Sequence, residues 1–275
     1  MTETADVAAH YAAGGLLARI EEGLAQLGAT PPLDPDLLAP VDEFHIGGRQ
    51  ATEPFLAQLG LGPGQRLLDL GCGLGGPARY AAQISGARVV GIDLTGEFVE
   101  TGRALNRLTG LQDRVELVQG TILDLPFGPG GFDAAWMIHV GMNIADKHRI
   151  AAEAARVLKP GALFGIYDVM QTGTEGIAFP VPWAASPRHS ALAPPQRYRD
   201  ALQAAGFELI SETDRTDFAE SFFANLAGVQ NAAEGPPPLG LHLLMGPDTP
   251  IKLRNMVANI TAGRVAPVEM IARKR

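Results

Sequence analysis

Apolar and polar positions change rhythm along the chain. From Val7 to Leu27 the residues Val7, Tyr11, Leu17, Ile20, Leu24 and Leu27 recur at three- and four-residue steps, with two gaps, and Gly28 follows. That spacing predicts an amphipathic helix stopped by a glycine. A proline-rich stretch, Pro31-Pro32-Leu33-Asp34-Pro35, interrupts the pattern and separates an N-terminal helical cap from the rest. We assign residues 1–50 to the cap and 51–275 to the core. Thr52 is a candidate cap for a short helix with Pro54 in its first turn.

From Gln65 onward short apolar runs alternate with helical stretches. The runs predict strands at Arg66–Leu70, Arg88–Ile92, Arg114–Val118, Asp133–Ile138, Ala162–Val169, Glu208–Glu212 and Val268–Arg273. Helices are expected at Pro77–Ile84, Glu97–Leu108, Lys147–Leu158, Pro195–Ala205 and Asp217–Gln230. Alternation of this kind implies crossover units, hence an α/β fold with a seven-stranded, mainly parallel sheet and helices on both faces. The stretch from about 170 to 195 is rich in Pro, Gly and Ser and longer than most strand–helix connections, which predicts a lid or a substrate wall.

Composition narrows the classes. A length of 275 residues suits one large domain, or one domain with a small cap. The net charge of -8 argues against nucleic acid as a partner and against an anionic membrane surface, because both need a basic patch. With one cysteine, Cys72, no intramolecular disulfide can form, which fits a reducing cytoplasm. Met1 to His10 carries no basic region followed by an apolar one, so no signal peptide is expected, and no apolar run is long enough to span a membrane. His10, His45, His139, His148, His189 and His242 are scattered without a paired metal-ligand spacing, so no metal site is expected. The oligomeric state stays open, a homo-oligomer included.

The most informative stretch is Arg66-Leu67-Leu68-Asp69-Leu70-Gly71-Cys72-Gly73-Leu74-Gly75-Gly76-Pro77. An apolar strand runs into clustered glycines and then a helix. Glycines let a backbone turn sharply and approach a ligand closely, and open parallel sheets bind ligands beyond the carboxyl ends of their strands. Two patterns fit, G-x-G-x-x-G and G-x-G-x-G, so the glycines alone do not decide. Asp69 helps: an acid there suits a cationic ligand, such as a sulfonium amino acid, better than a pyrophosphate. Asp93 ends the second strand and can accept both hydroxyls of a ribose through its two oxygens. Read without a ligand, these features are a tight turn and a helix cap.

Asp69-Leu-Gly-Cys-Gly-Leu-Gly-Gly76, Gly91-Ile-Asp-Leu94, Leu125-Pro-Phe127, Phe132-Asp133 and Arg156-Val-Leu-Lys-Pro-Gly161, in that order, resemble the class I S-adenosylmethionine-dependent methyltransferases. The resemblance covers about Gln65 to Phe207. Phe44-His-Ile-Gly-Gly-Arg49, Gly141-Met-Asn-Ile-Ala-Asp-Lys147, Tyr167-Asp-Val-Met170 and Pro180-Val-Pro-Trp183 are similar to the sarcosine/dimethylglycine N-methyltransferase group. The resemblance implies a Rossmann-like sheet whose last strand is antiparallel. It also implies S-adenosylmethionine as cofactor, with S-adenosylhomocysteine as product. Gly71, Cys72 and Gly73 would then face the amino-acid part, Asp93 the ribose, Leu94 one side of the adenine, and Thr121 and Ile122 the other. Met137, Ile138 and His139 would lie under the sulfonium, Arg49 against the carboxylate, and Tyr11 near the cofactor with the first helix. Thr121 stands where many relatives carry an acid that bonds the adenine amino group.

The implied reaction is methyl transfer to N, O or C of a small molecule by in-line displacement, which chiefly needs alignment and exclusion of water. His139, His45, Tyr167 and Asp168 are the candidate catalytic groups, and Trp183 and Trp136 the candidate pocket walls. Each also has a structural reading: a backbone-bonded histidine, a turn cap, a core aromatic. Cys72 has no expected base beside it and is read as a small packing residue rather than a nucleophile. Two other functions share parts of the pattern: a non-catalytic protein that binds the adenosyl cofactor, and a nicotinamide-dependent oxidoreductase.

Overall fold

Seven strands order the chain, and the sequence sets most of their limits. The computed structural model describes residues 15–232 and 235–275. Its strands are β1 (Arg66–Leu70), β2 (Arg88–Asp93), β3 (Val115–Gln119), β4 (Phe132–Ile138), β5 (Leu158–Gln171), β6 (Phe207–Asp214) and β7 (Val265–Lys274). They form one sheet in the order β3-β2-β1-β4-β5-β7-β6. Pairings from β3 through β5 are parallel, whereas β7 runs antiparallel between β5 and β6. Strand order reverses between β1 and β4, so a crevice opens beyond their carboxyl ends.

Helices cover both faces. Helices α1 (Leu16–Gln26), α2 (Arg49–Leu59), α3 (Gly76–Ser85), α4 (Gly96–Leu108), α5 (Lys147–Val157), α6 (Pro195–Ala204), α7 (Thr216–Ala232) and α8 (Thr249–Thr261) follow in chain order. Ile150 and Ala154 of α5 and Tyr198 and Leu202 of α6 pack with Leu68, Val90 and Ile166 on one face of the sheet. Phe55 and Leu59 of α2, Ala78 and Ala82 of α3, and Val99 of α4 pack with Leu67, Val89 and Trp136 on the other. Leu16, Ile20 and Leu24 of α1 are buried in a third cluster with Phe98 and Leu105 of α4. Each buried Leu, Ile, Val or Phe among them stabilises by about 1.5–3 kcal/mol. A fourth cluster joins Val181 and Trp183 of the 170–195 stretch to Ala219 of α7 and Met256 and Ile260 of α8.

Some expectations need correction. Thr52 does not cap a helix: α2 begins at Arg49 after Gly48, Pro54 lies inside it, and the Thr52 hydroxyl donates to Glu43 Oε2 at 2.6 Å. Residue 50 therefore falls within the first turn of α2. Strand β5 starts before Ala162, because Leu158 pairs with Phe132 and a bulge carries Lys159-Pro160-Gly161 outward. Helix α8 was not expected. Tyr11 and the opening turns of the first predicted helix lie outside the described residues.

Candidate functional site

The crevice is a cavity of about 270 Å³, built from the turns after β1, β2, β3 and β4 and roofed by α7, α8 and the 170–195 stretch. Its floor is the glycine turn. Gly71 and Cys72 donate their N–H groups to the Ile92 carbonyl at 2.8 and 3.1 Å, and Gly73 donates to Asp93 Oδ2 at 2.9 Å. Asp93 Oδ1 accepts the Thr95 N–H at 2.8 Å, so the two turns are tied through one carboxylate. Gly71 and Gly73 have φ of 80° and 53°, a region that side chains resist. A Cβ on Gly71 would lie 2.3 Å from Val140, whereas one on Gly73 would meet nothing within 4 Å. Gly73 therefore faces open space where a ligand can approach the backbone.

Asp69 is buried at the end of β1, opposite Trp136, and lines the cavity. Its Oδ2 has no hydrogen-bond partner, nor has the indole N–H of Trp136. Burial pushes the Asp69 carboxyl up to about 8, offset in part by the nearby indole N–H. A carboxyl held this way is relieved by an arriving cation. Asp93 is raised by burial as well, against the N–H groups it accepts. Cys72 packs under Gly91, and burial pushes its thiol up, which leaves it inert as a nucleophile.

Two histidines line the cavity beside the glycine turn. His139 has a φ of 53°, the one positive value outside glycine among the described residues. Its Nε2 is 3.4 Å from the Ile46 N–H, which can only donate, so Nδ1 carries the proton and points at the Tyr167 carbonyl 3.3 Å away. Tyr167 donates its hydroxyl to the Ile46 carbonyl at 3.1 Å. His139 and Tyr167 thus clamp both backbone groups of Ile46. His45 directs Nε2–H to the Gly48 carbonyl at 3.0 Å, which leaves Nδ1 as the ring nitrogen that can accept. Burial lowers His45 to about 4 and His139 well below 6.5, so both rings are neutral at pH 7.

The structure brings together Asp69, Gly71, Cys72, Gly73, Asp93, Leu94, Thr121, Ile122, Ile138, His139, His45 and Trp183. It sets five predicted residues elsewhere. Arg49 pairs with Glu43 at 2.7 Å and with Asp36, lies 4.0 Å over the Tyr80 ring, and does not line the cavity. Trp136 is wholly buried against Phe55, with ring centroids 6.1 Å apart. Met137 belongs to the core on the α5 and α6 face. Tyr167 does not line the cavity: its hydroxyl bonds the Ile46 carbonyl, and its ring packs edge-on against His139 with centroids 4.8 Å apart. Asp168 bonds Tyr198 at 2.6 Å on the far side of the sheet, where burial raises it to about 6. The Leu125-Pro-Phe127 and Arg156 motifs also serve structure: Arg156 donates to the Leu125 and Phe127 carbonyls at 2.9 and 2.6 Å.

Sequence reasoning missed the part of the roof that α7 and α8 supply. Phe222, Phe223 and Leu226 of α7 and Leu253 and Met256 of α8 line the cavity. The signal was present, since Leu253, Met256 and Ile260 keep helical spacing after Pro250 and before Gly263.

Residues 68–166 match the family model described as a methyltransferase domain. The match runs from the first strand into the fifth. It spans the glycine turn, Asp93, Thr121 and His139, the residues that floor the cavity. The chain is 38% identical over 128 residues to a sterol 24-C-methyltransferase of Yarrowia lipolytica, covering 45% of this chain and 34% of that one. Over 158 residues it is 34% identical to a sarcosine/dimethylglycine N-methyltransferase of Halorhodospira halochloris, covering 57% and 56%. The matched stretches thus span about a third to a half of these relatives. A structure of geranyl diphosphate C-methyltransferase from Streptomyces coelicolor, with Mg2+, geranyl diphosphate and S-adenosylhomocysteine, aligns with TM-score 0.72 at 19% identity, covering 100% and 98%. At that identity the likeness shows the methyltransferase fold.

Proposed function

We propose that this chain transfers a methyl group from S-adenosylmethionine to a small-molecule acceptor. The observation that carries the reading is the continuity of the cavity. One end holds an open glycine turn with two buried acids, and the other is an apolar chamber under α7 and α8. The residues fit the cofactor. Gly73 leaves room against its backbone, Asp93 has lone pairs left for ribose hydroxyls, and the unpartnered Oδ2 of Asp69 suits a cationic amino acid. A pyrophosphate would find two acids and no lysine or arginine among the described lining residues. In the related solved structures an adenosyl cofactor or its product is bound.

S-adenosylmethionine supplies a methyl group already activated by its sulfonium. The chain's own residues then align and exclude water, a contribution of roughly 7–11 kcal/mol where geometry is well held. Ile138, His139 and Val140, at the carboxyl end of β4, line the cavity. Ile46, clamped by His139 and Tyr167, closes one side. Where the acceptor releases a proton, we assign it to His45, whose neutral ring lines the cavity and keeps Nδ1 as its acceptor nitrogen. It is a weak base, suited to a proton that becomes acidic as the new bond forms. Residues 1–50 act as a cap on the 51–275 core in this reading, and the protein works in the cytoplasm without nucleic acid, in keeping with its charge of -8.

Thermal unfolding tests the cofactor. S-adenosylmethionine and S-adenosylhomocysteine at a hundred times their dissociation constants should each stabilise the chain by about 2.7 kcal/mol, and NAD should not. Asp93→Ala should remove the effect. Stabilisation by NAD alone would select the oxidoreductase reading.

A further inference from the structure

The acceptor half of the cavity has a composition that the fold does not require. Met142, Val169, Trp183, Phe223, Leu226 and Met256 surround it, and the indole N–H of Trp183 is turned away to Ser190 Oγ at 3.0 Å. Among the described residues no lysine or arginine lines any part of the cavity. Residues 1–14 and 229–234 contain none either. Of the basic side chains next in sequence to the lining, Lys147 and Lys252 are committed to backbone and Arg254 is exposed to solvent outside the lining. Lys147 donates to the Gly141 and Ala191 carbonyls at 2.8 and 2.9 Å, and Lys252 to the Met245 carbonyl at 3.0 Å. Arg49 and Arg79 are paired with acids. The acids that do line the cavity are Asp42, Asp69, Asp93 and Asp146.

An anionic acceptor entering this chamber would lose its hydration and find no cation among the lining side chains. An unpaired buried charge costs far more than apolar contact returns. The two lining histidines do not help, because both rings are neutral at pH 7. Two of the relatives are named for acceptors that carry a carboxylate or a diphosphate. Among the described residues no group of three or more His, Cys, Asp or Glu side chains could hold a metal ion to neutralise a diphosphate.

We infer that the acceptor is an uncharged, carbon-rich molecule held by the apolar chamber, and that carboxylate- and phosphate-bearing acceptors are excluded. This rests on the methyltransferase reading. In the step itself the methyl carbon–sulfur bond breaks and its electron pair stays on sulfur. A lone or π pair of the acceptor forms the new bond to the methyl carbon. The proton then released passes to His45 Nδ1.

A matched pair of ligands tests it by binding alone. Calorimetry at pH 7.5 would titrate S-adenosylhomocysteine first, then decanol and decanoate into the saturated protein, with dimethylglycine as a third ligand. Decanol should bind at least about tenfold more tightly than decanoate, since only the latter buries an unpaired charge, and dimethylglycine should not bind. Leu226→Lys, on the half-buried face of α7, should reverse the preference while leaving S-adenosylhomocysteine binding within about threefold. Met256→Gln should weaken decanol by about tenfold through its buried amide, which guards against misfolding of the lysine variant. If S-adenosylhomocysteine fails to bind, the cofactor reading falls, and this inference with it. If it binds, but decanol does not or decanoate binds equally well, the acceptor inference alone is overturned.

Discussion

Asp69 shows how one side chain can report on the site. Its carboxyl, raised to about 8 from an ordinary 3.8, keeps a proton in the folded chain that the unfolded chain loses. Stability therefore declines as pH rises from about 4 to about 8 and is flat above that. Asp69→Asn should flatten this decline, raising the unfolding midpoint at pH 8 relative to wild type. A cationic ligand favours the ionised form, so S-adenosylmethionine affinity should climb with pH until about 8, and the variant should lose both the slope and much of the affinity. Titrations between pH 6 and 9 check this; equal slopes in the two proteins would separate Asp69 from the ligand. The residue was legible because strand, acid and glycine turn are contiguous in the chain. Asp168 and Trp136 were not, because period-two alternation gives the parity of a strand residue but not what covers it, and Arg49, the first residue of α2, is drawn off by Glu43 and Asp36. Trp136 and Ile138 share parity, yet α2 covers the first with Phe55, while the second emerges at the cavity.

At the scale of elements, the cap segment is joined to the core by a buried ion pair rather than by apolar contact alone. Arg79 of α3 is wholly buried, donates to Asp42 at 2.6 Å and to Asn106 of α4 at 2.8 Å, and so links residue 42 to two helices. Burial raises Asp42 against the pull of that guanidinium. Arg79→Ala would leave Asp42 buried without a partner and should destabilise by about 3–5 kcal/mol. A urea midpoint shifted down at unchanged m would confirm it, and a shift below about 1 kcal/mol would refute it. Nothing in the local pattern marks Arg79, whose importance arises from a contact 37 residues away. Strands fared better: β1 runs over the residues expected from its apolar run. The ends of β5 were misread because its exposed Lys-Pro-Gly segment has the composition of a turn, although pairing with β4 carries the strand through it.

For the whole molecule, the division of labour follows from topology. The parallel strands deliver the cofactor end of the cavity, since every lining turn after β1 to β4 lies at a carboxyl end. The roof comes from α7, α8 and the 170–195 stretch, which lie outside the 68–166 match. The chain's own chemistry toward an acceptor therefore resides where the family pattern is silent. The order of the motifs made the sheet and the cofactor end readable. The 170–195 part of the roof was read as a lid or substrate wall, whereas α8 and the lining face of α7 were not. No described helix is long and apolar enough to cross a membrane. The central claim is an adenosyl site on the glycine turn. Its most direct test is a calorimetric titration of S-adenosylhomocysteine into wild type and Gly73→Ala. The methyl group of the variant projects into open space at a φ of 53°, so it should cost the fold only about 1–2 kcal/mol while it obstructs the ligand. The account predicts one site per chain in wild type and at least about a hundredfold weaker binding in a folded variant, the loss expected when close backbone approach is blocked. Equal affinity in the two proteins, or no binding in wild type, would contradict it.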